Sequence, residues 1–198
     1  MLPMMFSLYL KMLVLYSPFF VLSCFIGLTP GYSAKERKAL AWKVALGTLI
    51  SSVLLYLFGK AIFNIFGITP DAFRIGAGSV LFISALGMAQ GKSAVQADSQ
   101  QQDVTIVPLT IPLTVGPGTI GALLVMGINQ PHWDDKLTAI LGIALASFTV
   151  GVVLYLSDRV ERLLGQQGLQ IVSRLMGLFV CALAAQIIFT GVRGYLLP

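Results

Sequence analysis

The residues best suited to bind a small solute lie within residues 104–133, an uncharged run that is long enough to cross a bilayer. Prolines interrupt this run, and Pro117 stands between Gly116 and Gly118 near its middle. Proline lacks a backbone N–H and clashes with the preceding helical turn, so the sequence predicts a kinked or broken helix here. Broken backbone inside a membrane is stable only where protein or water satisfies its polar groups, and we therefore expect a binding site at this point.

A second break is expected at Ser17-Pro18, in the first apolar run of the chain. Each break would start a half-helix with proline at its first position, and Ser17 would cap the first of the two. The N-terminus of a helix favours an anion by about 0.3–2 kcal/mol, so its free N–H groups would bind a substrate carboxylate. The N–H groups expected to be free are those of Phe19, Phe20, Gly118 and Thr119.

An ammonium group of the same substrate would contact the carbonyl groups of Tyr16 or Val115, because none of the eight acidic residues lies within a predicted span. Gln186 could line the cavity or form a hydrogen bond with another helix. For both prolines, a simple kink without a binding site is the alternative interpretation. The predicted substrate site comprises Ser17, Pro18, Phe19, Thr114, Gly116, Pro117, Gly118, Thr119 and Gln186.

The composition places these residues in an integral membrane protein. Hydrophobic residues make up 57% of the 198 and charged residues 11%, whereas a soluble domain has about 25% charged residues. The net charge of +5 does not indicate nucleic-acid binding, because the basic residues separate apolar runs and fit membrane topology better. With one histidine, His132, and two cysteines inside apolar runs, the sequence predicts no metal site and no cofactor.

Charged and turn-forming segments divide the chain into six predicted transmembrane helices, which makes the fold class all-α. The charged segment 157–162 and the Gly/Gln segment 165–168 are interpreted as the loop before the last helix, and residues 92–103 as a flexible linker. The predicted helices cover residues 4–28, 39–62, 73–90, 104–126, 137–156 and 171–192.

Basic residues are concentrated in the first, third and fifth predicted loops. The positive-inside rule places these loops in the cytoplasm and both termini outside it. Arg74 and Arg174 would anchor the ends of spans or form gating ion pairs, and the cluster from Lys35 to Lys43 could also contact anionic lipid. The residues that decide the orientation are Lys35, Arg37, Lys38, Lys43, Lys92, Arg159 and Arg162.

The two halves of the chain resemble each other. A shift of 99 residues, without any gap, pairs Pro18 with Pro117 and Tyr56 with Tyr155. Since each half contains three predicted spans, an odd number, the second half would be inverted relative to the first. Inverted repeats with spans one and four interrupted near the midplane are an arrangement that recurs in transporters. The predicted repeats are residues 1–91 and 104–198, joined by the linker 92–103.

Five short motifs are informative in combination: Phe66-Gly67-Ile68, Phe73-Arg74-Ile75-Gly76-Ala77-Gly78, Val107-Pro108-Leu109-Thr110-Ile111-Pro112, Gly116-Pro117-Gly118 and Ser173-Arg174-Leu175-Met176-Gly177. Together they resemble the MarC family of bacterial membrane proteins over nearly the whole chain. The resemblance implies a multi-pass protein of the bacterial inner membrane, of the neutral amino acid transporter type. The family usually carries Asn-Pro and a nearby Gly in span one, where this chain reads Ser17-Pro18-Phe19-Phe20.

The predicted function is secondary transport or export of a small net-neutral solute, with neutral amino acids as the first candidates, by alternating access. A coupling ion could bind as well, membrane lipid surrounds the protein, and nucleic acid is not an expected partner. An enzyme is not predicted, because the spans contain no Cys–His pair, no paired carboxylates and no His-rich motif. A non-transporting membrane scaffold or stress-related protein is the alternative.

Overall fold

The structure, a computed structural model, describes residues 2–29, 31–91, 114–128 and 133–196. These residues form seven α-helices, and no strand occurs among them. The helices are α1 (Leu2–Tyr16), α2 (Pro18–Leu28), α3 (Ala34–Phe66), α4 (Pro70–Ala89), α5 (Pro117–Ile128), α6 (Trp133–Tyr155) and α7 (Ser157–Leu196).

The helices confirm the predicted fold class, an all-α multi-pass membrane protein. Five helical segments are long and apolar enough to cross a membrane, and α1 and α2 together form the first of them. The shorter apolar helix α5 starts at Pro117, within predicted span four. The earlier part of that span and the predicted linker, residues 92–113, lie outside the described residues. The inverted relation of the two halves therefore stays a prediction.

Capping motifs set the ends of α3 and α4. The Glu36 N–H donates to the Ser33 hydroxyl at 3.3 Å, and the Ser33 N–H donates to the Glu36 carboxylate at 2.8 Å. This reciprocal pair starts α3 five residues before the predicted span. Gly67 ends α3 with a φ of 62°, which glycine adopts without strain. Thr69 then caps α4, and Pro70 occupies its first position.

The polar segment before the last span is helical and is not a loop. Helix α7 begins at Ser157, so residues 157–168 belong to it. Gly165 has φ 64° and ψ 172° and interrupts the helical conformation between the charged first part and the apolar remainder. The predicted loop is wrong because charges end an apolar span without ending a helix. The opposite charges of Asp158 and Arg162, at i,i+4 spacing, are compatible with helical structure.

Glycines on facing helices let the backbones approach closely. A Cβ on Gly78 of α4 would clash with α7, and a Cβ on Gly177 of α7 would lie 2.6 Å from the backbone nitrogen of Ala89. Where α5 crosses α3, a Cβ on Gly127 would overlap the carbonyl oxygen of Tyr56. Small interfacial residues are typical of membrane helices, which associate through close packing because lipid is as apolar as their side chains.

Arg37 links three helices at one end of the protein. Its Nε and Nη2 donate to the carbonyl oxygen of Thr29, at 3.2 and 2.8 Å, and its Nη1 forms a 2.9 Å ion pair with Asp158. The Thr29 hydroxyl donates in turn to the carbonyl oxygen of Phe25 at 2.7 Å. The end of α2, the first turn of α3 and the first turn of α7 are thereby held together.

Candidate functional site

Ser17 forms the first break, between α1 and α2. Its backbone is left-handed, with φ 47° and ψ 62°, a conformation that residues other than glycine adopt infrequently. The Ser17 N–H lies 3.1 Å from the carbonyl oxygens of Leu13 and Val14, which closes the last turn of α1. Its own carbonyl accepts the N–H groups of Phe20 at 2.9 Å and Val21 at 3.1 Å, which opens α2. The chain is thus interrupted at the predicted position while its hydrogen bonding continues.

Two details of the predicted first half-site are wrong. Ser17 stands at the N-cap position of α2, but its hydroxyl donates backwards to the Val14 carbonyl at 2.8 Å and makes no cap bond. The Phe20 N–H, which was expected to be free, donates to the Ser17 carbonyl. The left-handed backbone explains both details, because it lets one residue serve the end of α1 and the start of α2. Pro18 is buried at the start of α2, and Phe19 beside it is half-buried.

The second break lies between Thr114 and Pro117. The Ile120 N–H donates to the carbonyl oxygen of Gly116 at 2.9 Å, which is the first hydrogen bond of α5. Thr114 belongs to a wider, π-type turn and Val115 to a bend, so the backbone before α5 is irregular. Both side chains are buried, with exposed fractions of 1% and 0%. This region therefore carries polar backbone and a hydroxyl into the protein interior.

The two breaks meet inside the protein. The Thr119 hydroxyl, in the first turn of α5, donates to the carbonyl oxygen of Leu15, in the last turn of α1, over a long 3.5 Å hydrogen bond. These two residues are 104 positions apart in the sequence. Ser17, Thr114 and Thr119 are all buried. The structure thus brings the first turn of α5 to the end of α1, two residues before Ser17.

Gly118 packs directly against α4. A Cβ at this position would lie 2.3 Å from the Cβ of Leu81 and 2.6 Å from its Cγ. The position of a Cβ is set by the backbone, so rotation of the Leu81 side chain could not make room. This side of Gly118 is filled by helix packing, and a solute would have to approach its backbone from another side.

Sequence reasoning missed a group of hydroxyls beside the first break. Tyr16, the last residue of α1, donates its phenol hydroxyl to Ser52 of α3 at 2.8 Å. Ser147 of α6 lies beside the same phenol, and Thr48 comes one turn before Ser52. All four side chains are fully buried. The signal in the sequence is the spacing of Thr48 and Ser52, two small polar residues on one face of an apolar helix.

The profile of MarC family integral membrane proteins matches residues 2–196. The chain belongs to the MarC family. It is 34% identical over 188 residues to a UPF0056 membrane protein of Methanocaldococcus jannaschii, an alignment that covers 91% of this chain and 92% of that protein. It is 30% identical to the UPF0056 membrane protein YvbG of Bacillus subtilis over 179 residues, covering 86% and 85% of the two chains. A UPF0056 membrane protein of Aquifex aeolicus is 29% identical over 196 residues, covering 95% and 92%. No solved structure is significantly similar to the chain.

Family membership establishes that this MarC protein is embedded in a membrane, as the sequence predicted. The names of its relatives describe membrane proteins and state no substrate. What the protein binds must therefore be argued from the breaks themselves.

Gln186 is the predicted site residue that the structure does not bring into the buried group. It is exposed on α7, where its backbone carbonyl accepts the Thr190 hydroxyl at 2.7 Å. The buried side of α7 is formed instead by small residues such as Ala184 and Gly191. A single polar side chain in an apolar span does not reveal which face of the helix turns inward.

Arg74 lies in the first turn of α4, whereas Arg174 lies within α7 and beside the other end of α4. Arg74 pairs with Asp71 within the first turn of α4, so this ion pair does not connect different helices. The Arg174 guanidinium of α7 covers Gly91 just beyond the end of α4, where a Cβ would lie 2.5 Å from its Nη2 atom. A cation at that end complements the helix dipole. Both positions fit the anchoring role among the two roles considered from the sequence.

Proposed function

We propose that this MarC protein is a secondary transporter of a small net-neutral solute, with neutral amino acids as the first candidates, that works by alternating access across the bacterial inner membrane. The supporting observation is the contact between the two breaks, where the Thr119 hydroxyl approaches the Leu15 carbonyl. Interrupted helices that meet within a membrane bundle offer irregular polar backbone to a solute.

The helix ends that meet carry opposite partial charges. Helix α5 begins at Pro117 with first-turn N–H groups that lack intrahelical partners, and α1 ends beside it with its carbonyl groups. A zwitterion suits this pair, because its carboxylate prefers a helix N-terminus and its ammonium group a C-terminus. No acidic side chain is required, in keeping with the lack of Asp and Glu in the predicted spans. We therefore expect neutral amino acids to bind better than cationic ones.

A non-transporting scaffold is the second candidate. The observation that favours it is the packing of Gly118 against Leu81, which uses one side of the second break for contact between helices. In a scaffold, the prolines and glycines would serve only to shape and join the helices. Neither candidate function involves catalysis.

The test is uptake of labelled neutral amino acids into liposomes that contain the purified protein. For a solute that is transported, Thr119→Val should lower binding roughly two- to tenfold, because it removes one hydroxyl and spares the backbone. Thr190→Val is the matched control, since it makes the same chemical change on the exposed side of α7. A folded protein that neither binds nor moves any solute of the panel would favour the scaffold.

We also propose that both termini lie outside the cytoplasm, on the basis of the basic residues in the first, third and fifth loops. Arg37 and its ion-pair partner Asp158 would then face the cytoplasm. A reporter that is active only after export should be active when fused after Pro198. Activity of a reporter that works only in the cytoplasm would contradict this orientation.

A further inference from the structure

Two buried hydroxyls near the first break have no hydrogen-bond partner among the described residues. They belong to Thr48, which is 0% exposed, and to Ser147, which is 1% exposed. Ser147 lies beside the phenol of Tyr16, which donates to the hydroxyl of Ser52 at 2.8 Å, and Thr48 comes one helical turn before Ser52. Buried polar groups are nearly always paired, because leaving them unpaired is costly. Unlike Ser173 on α7, which is also unpaired, Thr48 and Ser147 are close in the fold to the bonded pair of Tyr16 and Ser52, so that several hydroxyls are available to one ligand.

The register of α3 and α6 brings the unpaired hydroxyls to the same level of the protein. The two helices run antiparallel, since Lys38 lies over the ring of Tyr155 while Ala45 faces Gly151. Thr48 is about one turn beyond Ala45, and Ser147 about one turn before Gly151. In an antiparallel pair these steps lead in the same direction, so Thr48 and Ser147 lie at the same level of the helix pair.

The hydroxyl oxygens of Tyr16, Thr48, Ser52 and Ser147 carry no formal charge. They lie at the C-terminal end of α1, where the carbonyl groups carry a partial negative charge that attracts cations. Divalent cations are usually bound with carboxylates, and no Asp or Glu lies within the predicted spans. Carbonyls and the C-terminal ends of interrupted helices coordinate sodium in membrane transporters of other folds. A small monovalent cation fits these groups best.

We propose that Thr48, Ser52, Ser147 and Tyr16 provide a binding site for a sodium ion at the end of α1. Its role as the coupling ion rests on the proposed transport function, whereas sodium binding itself does not. Tyr16 immediately precedes Ser17, so the bound ion would lie next to the first break. Its charge would attract the carboxylate of a zwitterionic solute to the same region.

The test is thermal unfolding of the purified protein in sodium chloride, potassium chloride or choline chloride, without any solute. Sodium should raise the Tm by roughly 5–10 °C over choline when it is about 100-fold above its Kd. Thr48→Val and Ser147→Ala should each abolish most of this shift. Ser173→Ala is the matched control, because Ser173 also carries a buried unpaired hydroxyl but lies on α7. That variant should keep the full shift.

Equal Tm values in the three salts would overturn the sodium site and would indicate that water alone satisfies the hydroxyls. A sodium shift that persists in both Thr48→Val and Ser147→Ala would overturn it as well. Should Ser147→Ala fail to fold, Thr48→Val decides, since valine keeps the shape of threonine. Sodium binding without amino acid uptake would leave the site intact and would count only against the transport function.

Discussion

The two breaks of this MarC protein share one hydrogen-bond register but differ in how they are built. The Val21 N–H donates to the Ser17 carbonyl at 3.1 Å, and 99 positions later the Ile120 N–H donates to the Gly116 carbonyl at 2.9 Å. Each of these bonds opens a helix with proline at its first position, Pro18 in one half and Pro117 in the other. The sequence correspondence between the halves thus extends to the first hydrogen bond of α2 and of α5, although the backbone is left-handed at Ser17 and not at Gly116.

The difference lies in the residues on both sides of the prolines. The first break continues with Phe19 and Phe20, and it places Ser17 in a left-handed conformation that costs of order 1 kcal/mol. The second continues with Gly118 and Thr119, which approach Leu81 of α4 and the end of α1. The first break is therefore sensitive to backbone conformation, whereas the second is sensitive to side-chain size. Substitutions can test this contrast directly.

The largest effect is expected from Gly118→Val. The new Cβ would overlap Leu81, so α5 must shift. We expect the free energy of unfolding to fall by about 3 kcal/mol. Thermal unfolding in detergent measures this, with Gly27→Ala as the control, because Gly27 is helical and has open space at its Cβ position. Unchanged stability of Gly118→Val would show that the second break tolerates bulk and would remove the contrast.

The next largest loss of stability is expected from Ser17→Val, which should lower the free energy of unfolding by about 2 kcal/mol. A β-branched residue is strongly disfavoured in the left-handed region. Ser17→Gly relieves the backbone but loses the hydroxyl bond to Val14, so it should lie within about 1 kcal/mol of the wild type. Ser17→Asn should be as stable as the wild type, since asparagine tolerates the left-handed conformation. If Ser17→Val matches Ser17→Gly in the Tm, the left-handed conformation is incorrect.

The sequence predicted what depends on local chemistry. Both breaks follow from the position of proline, and the helices follow from apolar length between charges. The sequence did not reveal which side of each helix is buried or which residues of other helices it contacts, because both depend on the orientation of neighbouring helices. Gln186 is exposed, and Gly118 meets Leu81 although no local pattern connects them.

The repeat tyrosines show the same limit. Tyr56 is buried where α5 crosses α3, whereas its counterpart Tyr155 is exposed beside Trp42, with Lys38 5.0 Å from its ring centroid. Identical residues at equivalent positions therefore have different surroundings. The gap-free correspondence in sequence extends to the first hydrogen bonds of α2 and α5 but not to the contacts of these tyrosines.

A smaller difference is expected where each half anchors its helix ends. Arg37→Lys should lower the free energy of unfolding by about 1 kcal/mol. An ammonium group cannot reproduce the guanidinium geometry that binds the Thr29 carbonyl and Asp158 together. The equivalent position in the second half is Lys136, which lies over the ring of Trp133. Lys136→Arg should leave the Tm unchanged, since arginine also stacks on tryptophan. Equal losses in the two variants would contradict the asymmetry.

The smallest stability effect should come from Thr119→Val, because the hydroxyl that connects the two breaks forms only a long hydrogen bond of 3.5 Å to the Leu15 carbonyl. Valine keeps the shape of threonine, so the loss of this bond should lower the stability by about 0.5 kcal/mol. Thr119→Ser keeps the hydroxyl and loses a methyl group, and it should retain solute binding even if its Tm falls slightly.

The informative comparison is between the change in solute binding and the change in Tm for each variant. Solute binding that falls several-fold in Thr119→Val, with a Tm within a few degrees of the wild type, would make this hydroxyl part of the site. If binding follows the Tm in both variants, the contact between the breaks only holds the helices together.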